Sequence, residues 1–166
     1  MTALPSRRAT LALARRIAAE LAPGDLVVLA GPLGAGKTFL ARGICRALGL
    51  PARVPVTSPT FTLIQEYETL PPIAHADLYR LTGKSDVEAL GLESLRDEGR
   101  VVLVEWGEPF VAELGGDALL VRLSLDPRRA EIEGTGVRSG EQVTRTRSAD
   151  RIVTTRRAAW SDHVEG

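Results

Sequence analysis

Only two lysines occur among 166 residues, and one of them, Lys37, lies inside Gly31-Pro-Leu-Gly-Ala-Gly-Lys-Thr38. Every other basic residue apart from Lys84 and the histidines is arginine. A lysine kept against that background marks a position that wants a compact ammonium on a flexible stem rather than a planar fork. The segment satisfies the phosphate-loop pattern G-x-x-x-x-G-K-[ST] without exception. In such a loop, successive backbone N–H groups converge on a phosphate and the positive end of the following helix adds to the field. Gly31, Gly34 and Gly36 let the backbone approach the anion with no Cβ in the way, and Ala35 lies in the same turn. Lys37 is placed to reach the β- and γ-phosphate oxygens and Thr38 to ligate Mg²⁺. The motif predicts a nucleoside-triphosphate site.

Mg²⁺ keeps several waters and needs only one or two protein oxygens, so one further carboxylate should complete the site. Glu105 ends the apolar run Val101-Val-Leu-Val-Glu105, where an acid faces a phosphate loop across neighbouring strand tips. It is assigned to the metal, directly or through water. Asp77, in His75-Ala-Asp-Leu-Tyr-Arg80, is assigned near the γ-phosphate, as a water-positioning group or outer ligand. Thr60, in Ser58-Pro-Thr-Phe-Thr62, either touches the γ-phosphate and its Mg²⁺ or is an ordinary threonine opening a strand. His75 reads as a packing or hydrogen-bonding residue before a proton-transfer group. Trp106 suits core packing and stacking on a base or a partner equally well. The Asn/Thr-Lys-x-Asp signature of guanine-specific proteins is absent; Gly83-Lys-Ser-Asp86 is the nearest stretch, so ATP is the expected nucleotide.

The elements around these residues suit the motif. Ser6 to Leu21 reads as an amphipathic helix, with Leu13, Ile17 and Leu21 at helical spacing and Pro23-Gly24 as its end. Asp25 to Ala30 is a short apolar run of the kind buried on both faces of a parallel sheet. Lys37 to Leu48 is helical, stopped by Gly49. Thr60–Tyr67 and Ile73–Leu81 predict two strands of a hairpin joined at Pro71-Pro72. Val87–Arg96 is weakly helical, Val101–Trp106 is a second central strand, and Ala118–Leu125 and Ala130–Gly134 are expected at an edge. The fold class is α/β: a phosphate-loop NTPase-like, mostly parallel sheet with flanking helices and an antiparallel portion. Residues 1–135 form the expected ATPase domain. From about Gly136 onward Ser, Thr, Arg and Gly dominate, predicting a polar, mobile tail over 136–166.

Lys+Arg and Asp+Glu balance at 21 each, so overall charge does not argue for nucleic acid or acidic lipid. The single cysteine, Cys45, excludes an internal disulfide and a cysteine-clustered zinc site, and reads as a small apolar filler on a helix. No window approaches the ~18 apolar residues of a membrane span, and a cytoplasmic protein with no membrane partner is expected.

Taken in order, GDLVVLAGPLGAGKTFLARG, SPTFTLIQEY, HADLYRL and VEWGE resemble the TsaE family, bacterial ATPases of tRNA threonylcarbamoyladenosine biosynthesis. The likeness runs over roughly Ser6 to Glu108. It implies a small phosphate-loop α/β protein that works with TsaD and TsaB and uses ATP and Mg²⁺, with tRNA reached through the complex. It also implies that Gly34 to Thr38 hold phosphates, that Thr38 and Glu105 hold Mg²⁺, and that Ser58 to Thr62 resemble a switch loop. Asp77 falls in the catalytic or switch region, and Ser6 to Thr10 border the adenine. Two positions depart from the family: Pro32 where Asp is frequent, and Phe39 where a second Thr is frequent. The tail after Gly136 carries no family pattern.

The expected activity is a Mg-dependent ATPase, weak alone and stimulated by partners. A small-molecule kinase is the alternative, with Arg96-Asp-Glu-Gly-Arg100 as its only mid-chain lid candidate. A non-catalytic nucleotide switch is a third reading. Arg138, Arg145, Arg147, Arg151, Arg156 and Arg157 offer a direct tRNA contact, offset by interspersed acids.

Overall fold

The two most apolar runs form the middle of the sheet. A computed structural model describes residues 1–148. In it Leu26–Ala30 (β2) and Val101–Glu105 (β5) are buried at every position and pair in parallel, Leu29 opposite Glu105. Ile73–Asp77 (β4) adds in parallel on the far side of β5, with Asp77 opposite Glu105. Ile64–Tyr67 (β3) closes that side as the antiparallel hairpin partner of β4.

On the other side, Ala118–Leu125 (β6) lies parallel to β2, and Arg128–Gly134 (β7) is antiparallel to β6. The margin is Thr2–Ala3 (β1), two residues paired with β7. The seven strands run β1-β7-β6-β2-β5-β4-β3. Ala118–Leu125 is therefore not an edge strand as expected. Its first four residues are buried because β2 and β7 flank it and both faces are covered.

Helices cover both faces, as a parallel sheet requires. Arg7–Ala19 (α1) is capped by Ser6, whose hydroxyl accepts from Ala9 N–H, and packs with Lys37–Ala47 (α2) on one face. Leu13, Ile17, Leu40 and Ile44 meet Val27, Leu29, Leu103 and Leu119 there. The opposite side chains of the same strands, Val28, Val102, Val104 and Leu120, pack with Val87, Leu92, Phe110 and Leu114. The stretch expected as one helix over Val87–Arg96 is two, Lys84–Ala89 (α3) and Leu92–Asp97 (α4), because Gly91 at φ 71° takes the left-handed conformation between them. The strand expected from Thr60 starts only at Ile64, since Leu63 is at φ 66° and its N–H bonds back to Pro59 O, turning the chain.

The segment expected to begin a mobile tail is folded as far as it is described. Residues 137–148 are helical (α5), with Ser139, Gln142 and Thr146 buried and Val143 in the core. Its anchor is the buried Asp25: Arg138 reaches both carboxylate oxygens at 2.5 and 3.1 Å, and Gln142 Nε2 donates at 2.7 Å. Arg145 pairs with Glu20, and Arg147 donates to Ile132 O. These three arginines, candidates for tRNA contact, thus have partners within the chain. Arg151, Arg156 and Arg157 lie outside the described residues.

Candidate functional site

The loop between β2 and α2 has a shape set by its glycines. Gly31, at φ 138°, runs so close to β6 that a Cβ there would overlap the Leu123 carbonyl oxygen. Gly34 and Gly36 also have positive φ, 79° and 100°, but a Cβ on either would meet nothing within 4 Å. Their missing side chains thus keep a hollow open above the loop. No side chain caps the N-terminus of α2, which leaves its first N–H groups turned toward that hollow.

Strand alternation delivers the acids. Along β4 and β5, Ile73, His75, Asp77 and Val101, Leu103, Glu105 share the face that α2 covers, so both terminal carboxylates point to the start of that helix. Thr38 Oγ1 donates to Glu105, 3.0 Å from each carboxylate oxygen. On the other flank of Glu105, His75 Nε2 is 2.9 Å from Oε1. Asp77 Oδ2 accepts from the Ser58 hydroxyl and, at 3.2 Å, from the Thr60 hydroxyl; Oδ1 accepts from Tyr79 N–H at 2.8 Å. Asp77 thereby fastens the 58–62 loop to the end of β4.

Lys37 is buried, and its ammonium donates to the carbonyls of Gly31 at 2.6 Å and Pro32 at 2.9 Å. It also lies 3.9 Å from the ring centroid of Trp106, which in turn meets Tyr79 at 4.9 Å. Burial pushes this ammonium below the ordinary lysine range, and the nearby carboxylates of Glu105 and Asp77 pull the other way. Trp106 itself is at φ 62°, a left-handed backbone that non-glycine residues adopt at a cost of order 1 kcal/mol or more.

Gly34, Gly36, Lys37, Thr38, Thr60, Asp77 and Glu105 border one open cavity of about 420 Å³, together with Trp106. Ala35 and Gly36 border an adjacent cavity of about 320 Å³ beside Ser6, Arg7 and Thr10. Gly31, the first residue of the loop, lies against β6 and borders a further cavity with Trp106. The structure thus gathers the residues singled out from the sequence around one loop. Ser58, placed by resemblance in the switch-like loop, donates to Asp77; its sign in the sequence is a hydroxyl directly before Pro59.

Among the described residues, no group of three or more His, Cys, Asp or Glu could hold a metal ion. A hydroxyl opposed to one carboxylate is instead the sparse oxygen set that Mg²⁺ uses when substrate phosphates and water supply the rest. Thr38 and Glu105 fit that role.

A family model described as threonylcarbamoyl adenosine biosynthesis protein TsaE matches residues 4–132. The chain belongs to the TsaE family. Its similarity extends to the tRNA threonylcarbamoyladenosine biosynthesis protein TsaE of Streptomyces coelicolor, 49% identical over 116 residues, 67% of this chain and 76% of that protein. The namesake of Bacillus subtilis is 41% identical over 113 residues, 68% of this chain and 69% of that protein. Among solved structures, Bacillus subtilis YdiB superposes with a TM-score of 0.71 at 29% identity, covering 89% of this chain and 93% of that one. The TsaE family match stops within β7, before α5. Among the described residues, no helix is long and apolar enough to cross a membrane.

Proposed function

We propose that this chain binds and hydrolyses Mg-ATP as the ATPase subunit of a complex that forms threonylcarbamoyladenosine on tRNA, acting with TsaD and TsaB in the cytoplasm. The observation that carries this reading is the convergence of Lys37, Thr38 and Glu105 at the open end of β2 and β5, in a chain of the TsaE family.

The roles follow from the chemistry of each group. The backbone N–H groups of Gly34, Ala35, Gly36 and Lys37 bind the phosphates, and the Lys37 ammonium pairs with their terminal oxygens. Thr38 and Glu105 hold Mg²⁺. When bound, the ion neutralises charge that develops on the β- and γ-oxygens. Asp77 orients the attacking water, with Thr60 beside it on the switch-like loop. A finger supplied in trans accelerates such reactions by ~10³–10⁵-fold, which is how partner residues raise turnover at a site of this kind. tRNA is met through the complex.

The kinase alternative loses its lid candidate. Arg96 is spent on the carbonyls of Gly24, Leu114 and Gly116 at 2.9, 2.6 and 2.9 Å, and Arg100 pairs with Glu66 and Glu68. Both lie at the end of the sheet opposite the phosphate loop.

Calorimetric titration with Mg-ATP, followed by phosphate release with and without TsaD–TsaB, tests the proposal. Binding by the chain alone and faster release with the partners are expected, both lost in Lys37→Ala. A folded protein that takes up no Mg-ATP, or a Lys37→Ala protein that supports normal tRNA modification, overturns it.

A further inference from the structure

His75 is fully buried and 30 residues from Glu105 in sequence, yet its Nε2 lies 2.9 Å from Glu105 Oε1. Its other ring nitrogen, Nδ1, has no hydrogen-bond partner among the described residues. Strand pairing sets His75 beside Leu103 on β5 and Gln65 on β3, two residues back from the acids at the strand tips. A carboxylate can only accept, so Nε2 must carry the proton of this contact. A proton on Nδ1 would instead be a buried donor with no acceptor, an unfavourable state. The geometry therefore selects one tautomer, with Nε2–H directed at Oε1 and Nδ1 bare.

The two oxygens of Glu105 are consequently unequal. Oε1 accepts from both His75 and Thr38, whereas Oε2 accepts from Thr38 alone. We infer that His75 is a positioning residue: it clamps Oε1, fixes the plane of the carboxylate and leaves Oε2 the freer oxygen, presetting the group that takes the divalent cation. The inference rests on the Mg²⁺ role proposed above for Thr38 and Glu105. Partners of this kind, acting one shell behind the ligands, typically change metal affinity or activity 10–100-fold when removed.

Three variants test it. His75→Leu fills the space without a donor, and His75→Gln returns an N–H near the position of Nε2. Glu105→Gln is the reference for loss of the ligand itself. Wild type is expected to bind Mg-ATP, with His75→Leu needing about tenfold more Mg²⁺ for half-maximal nucleotide binding. Its kcat should fall while KM for ATP at saturating Mg²⁺ stays within about twofold, and His75→Gln should recover most of both losses. In the ligand-free protein, ¹⁵N spectra of the ring should show a protonated Nε2 and a bare Nδ1. The chain has one other histidine, His163, so comparison with His75→Leu assigns the signals.

A wild-type Mg²⁺ dependence and kcat in folded His75→Leu overturns the positioning role and leaves the proposed ATPase standing. So does an equal loss in Leu and Gln variants accompanied by an equal fall in Tm, and so does a ring protonated on Nδ1. Failure of wild type itself to bind Mg-ATP overturns the ATPase reading and this inference with it.

Discussion

Thr38 and Glu105 stand 67 positions apart, yet the hydroxyl of one lies 3.0 Å from each oxygen of the other. The contact joins the first turn of α2 to the tip of β5, and it exists because β2 and β5 are hydrogen-bonded neighbours with Leu29 opposite Glu105. An almost fully buried carboxylate held mainly by a threonine and a histidine is an expensive arrangement for a fold alone. Its burden points to function.

Glu105→Gln separates the two contributions. The amide keeps the size of the side chain and can still accept from Thr38, while removing a buried charge. Thermal unfolding should show Tm unchanged or raised. Mg²⁺-dependent nucleotide turnover should fall by roughly 100-fold, in the range seen when a preorganised charge is lost from a reacting centre. A stable variant with wild-type turnover would remove Glu105 from the site.

The loop glycines should fail in different ways. Gly31→Ala drives a Cβ into the Leu123 carbonyl of β6, so denaturant unfolding should register a loss of about 2 kcal/mol or more. In Gly34→Ala the new Cβ meets no protein atom, and only the backbone at φ 79° resists it, at about 1 kcal/mol. That Cβ should nevertheless weaken Mg-ATP binding sharply, because it intrudes on space kept for phosphate. Equal stability losses with equal binding losses would contradict this division.

The legible parts of the molecule were those in which neighbours in sequence are neighbours in space. β2, the phosphate loop and α2 follow one another directly, and a strand-terminal acid needed only its position in an apolar run. The place of β6 was not legible, because a strand of that composition pairs equally well at an edge or inside, and the choice is made by long-range contacts with β2. β1 is too short to carry a pattern. The packing of α5 escaped hydrophobic periodicity because its buried face is Ser139, Gln142 and Thr146 around the single apolar Val143. What holds that face is Asp25 at Gln142 and Asp117 at Ser139, and the sequence presents Asp25 only as the polar start of an apolar run. The contact of His75 with Glu105 depended in the same way on strand register.

That polar anchor leads to a prediction about the end of the chain. Ending the protein at residue 136 removes Arg138 and Gln142, leaving the Asp25 carboxylate, among the described residues, with the backbone N–H of Ala22 at 2.7 Å as its hydrogen-bond donor. A buried carboxylate stripped of such partners costs on the order of 3 kcal/mol, less where water enters the vacated surface. Relative to a chain ended at residue 148, the shorter one should unfold at distinctly lower denaturant concentration, and Asp25→Asn in it should restore part of the loss. Identical midpoints for the two lengths would show that α5 adds nothing.

Cys45 should behave as an apolar residue until high pH. Burial on α2 pushes its thiol up from 9.0 to about 12. The unfolded chain releases the proton above 9.0 while the folded one holds it, so the unfolded state binds fewer protons and stability falls as pH rises. The contribution is fully present below 9.0 and is lost between about 9 and 12, at about 1.4 kcal/mol per pH unit. Denaturant titrations of wild type and Cys45→Ala should therefore show a gap favouring wild type at pH 7 that narrows above pH 9. Thiol labelling of the native protein should proceed only as fast as unfolding; rapid labelling at pH 7 would contradict the burial.

Lys37 and Trp106 provide an optical report on the same site. The ammonium lies 3.9 Å from the indole centroid, within cation–π range, while donating to Gly31 O and Pro32 O. Pairing with phosphate oxygens requires the ammonium to turn from those carbonyls, which changes the charge against the ring. Trp106 emission should shift on saturation with Mg-ATP, measured in a Trp160→Phe background so that it is the one tryptophan left. Lys37→Met should change the emission of the free protein and abolish the shift. The backbone provides an independent check: at φ 62° an alanine is strained where a glycine is not. Trp106→Gly should consequently be more stable than Trp106→Ala by about 1 kcal/mol, the reverse of the usual order, although both lose the ring. An emission spectrum that stays fixed while calorimetry reports saturation would mean that Lys37 keeps its place against the indole in the nucleotide complex.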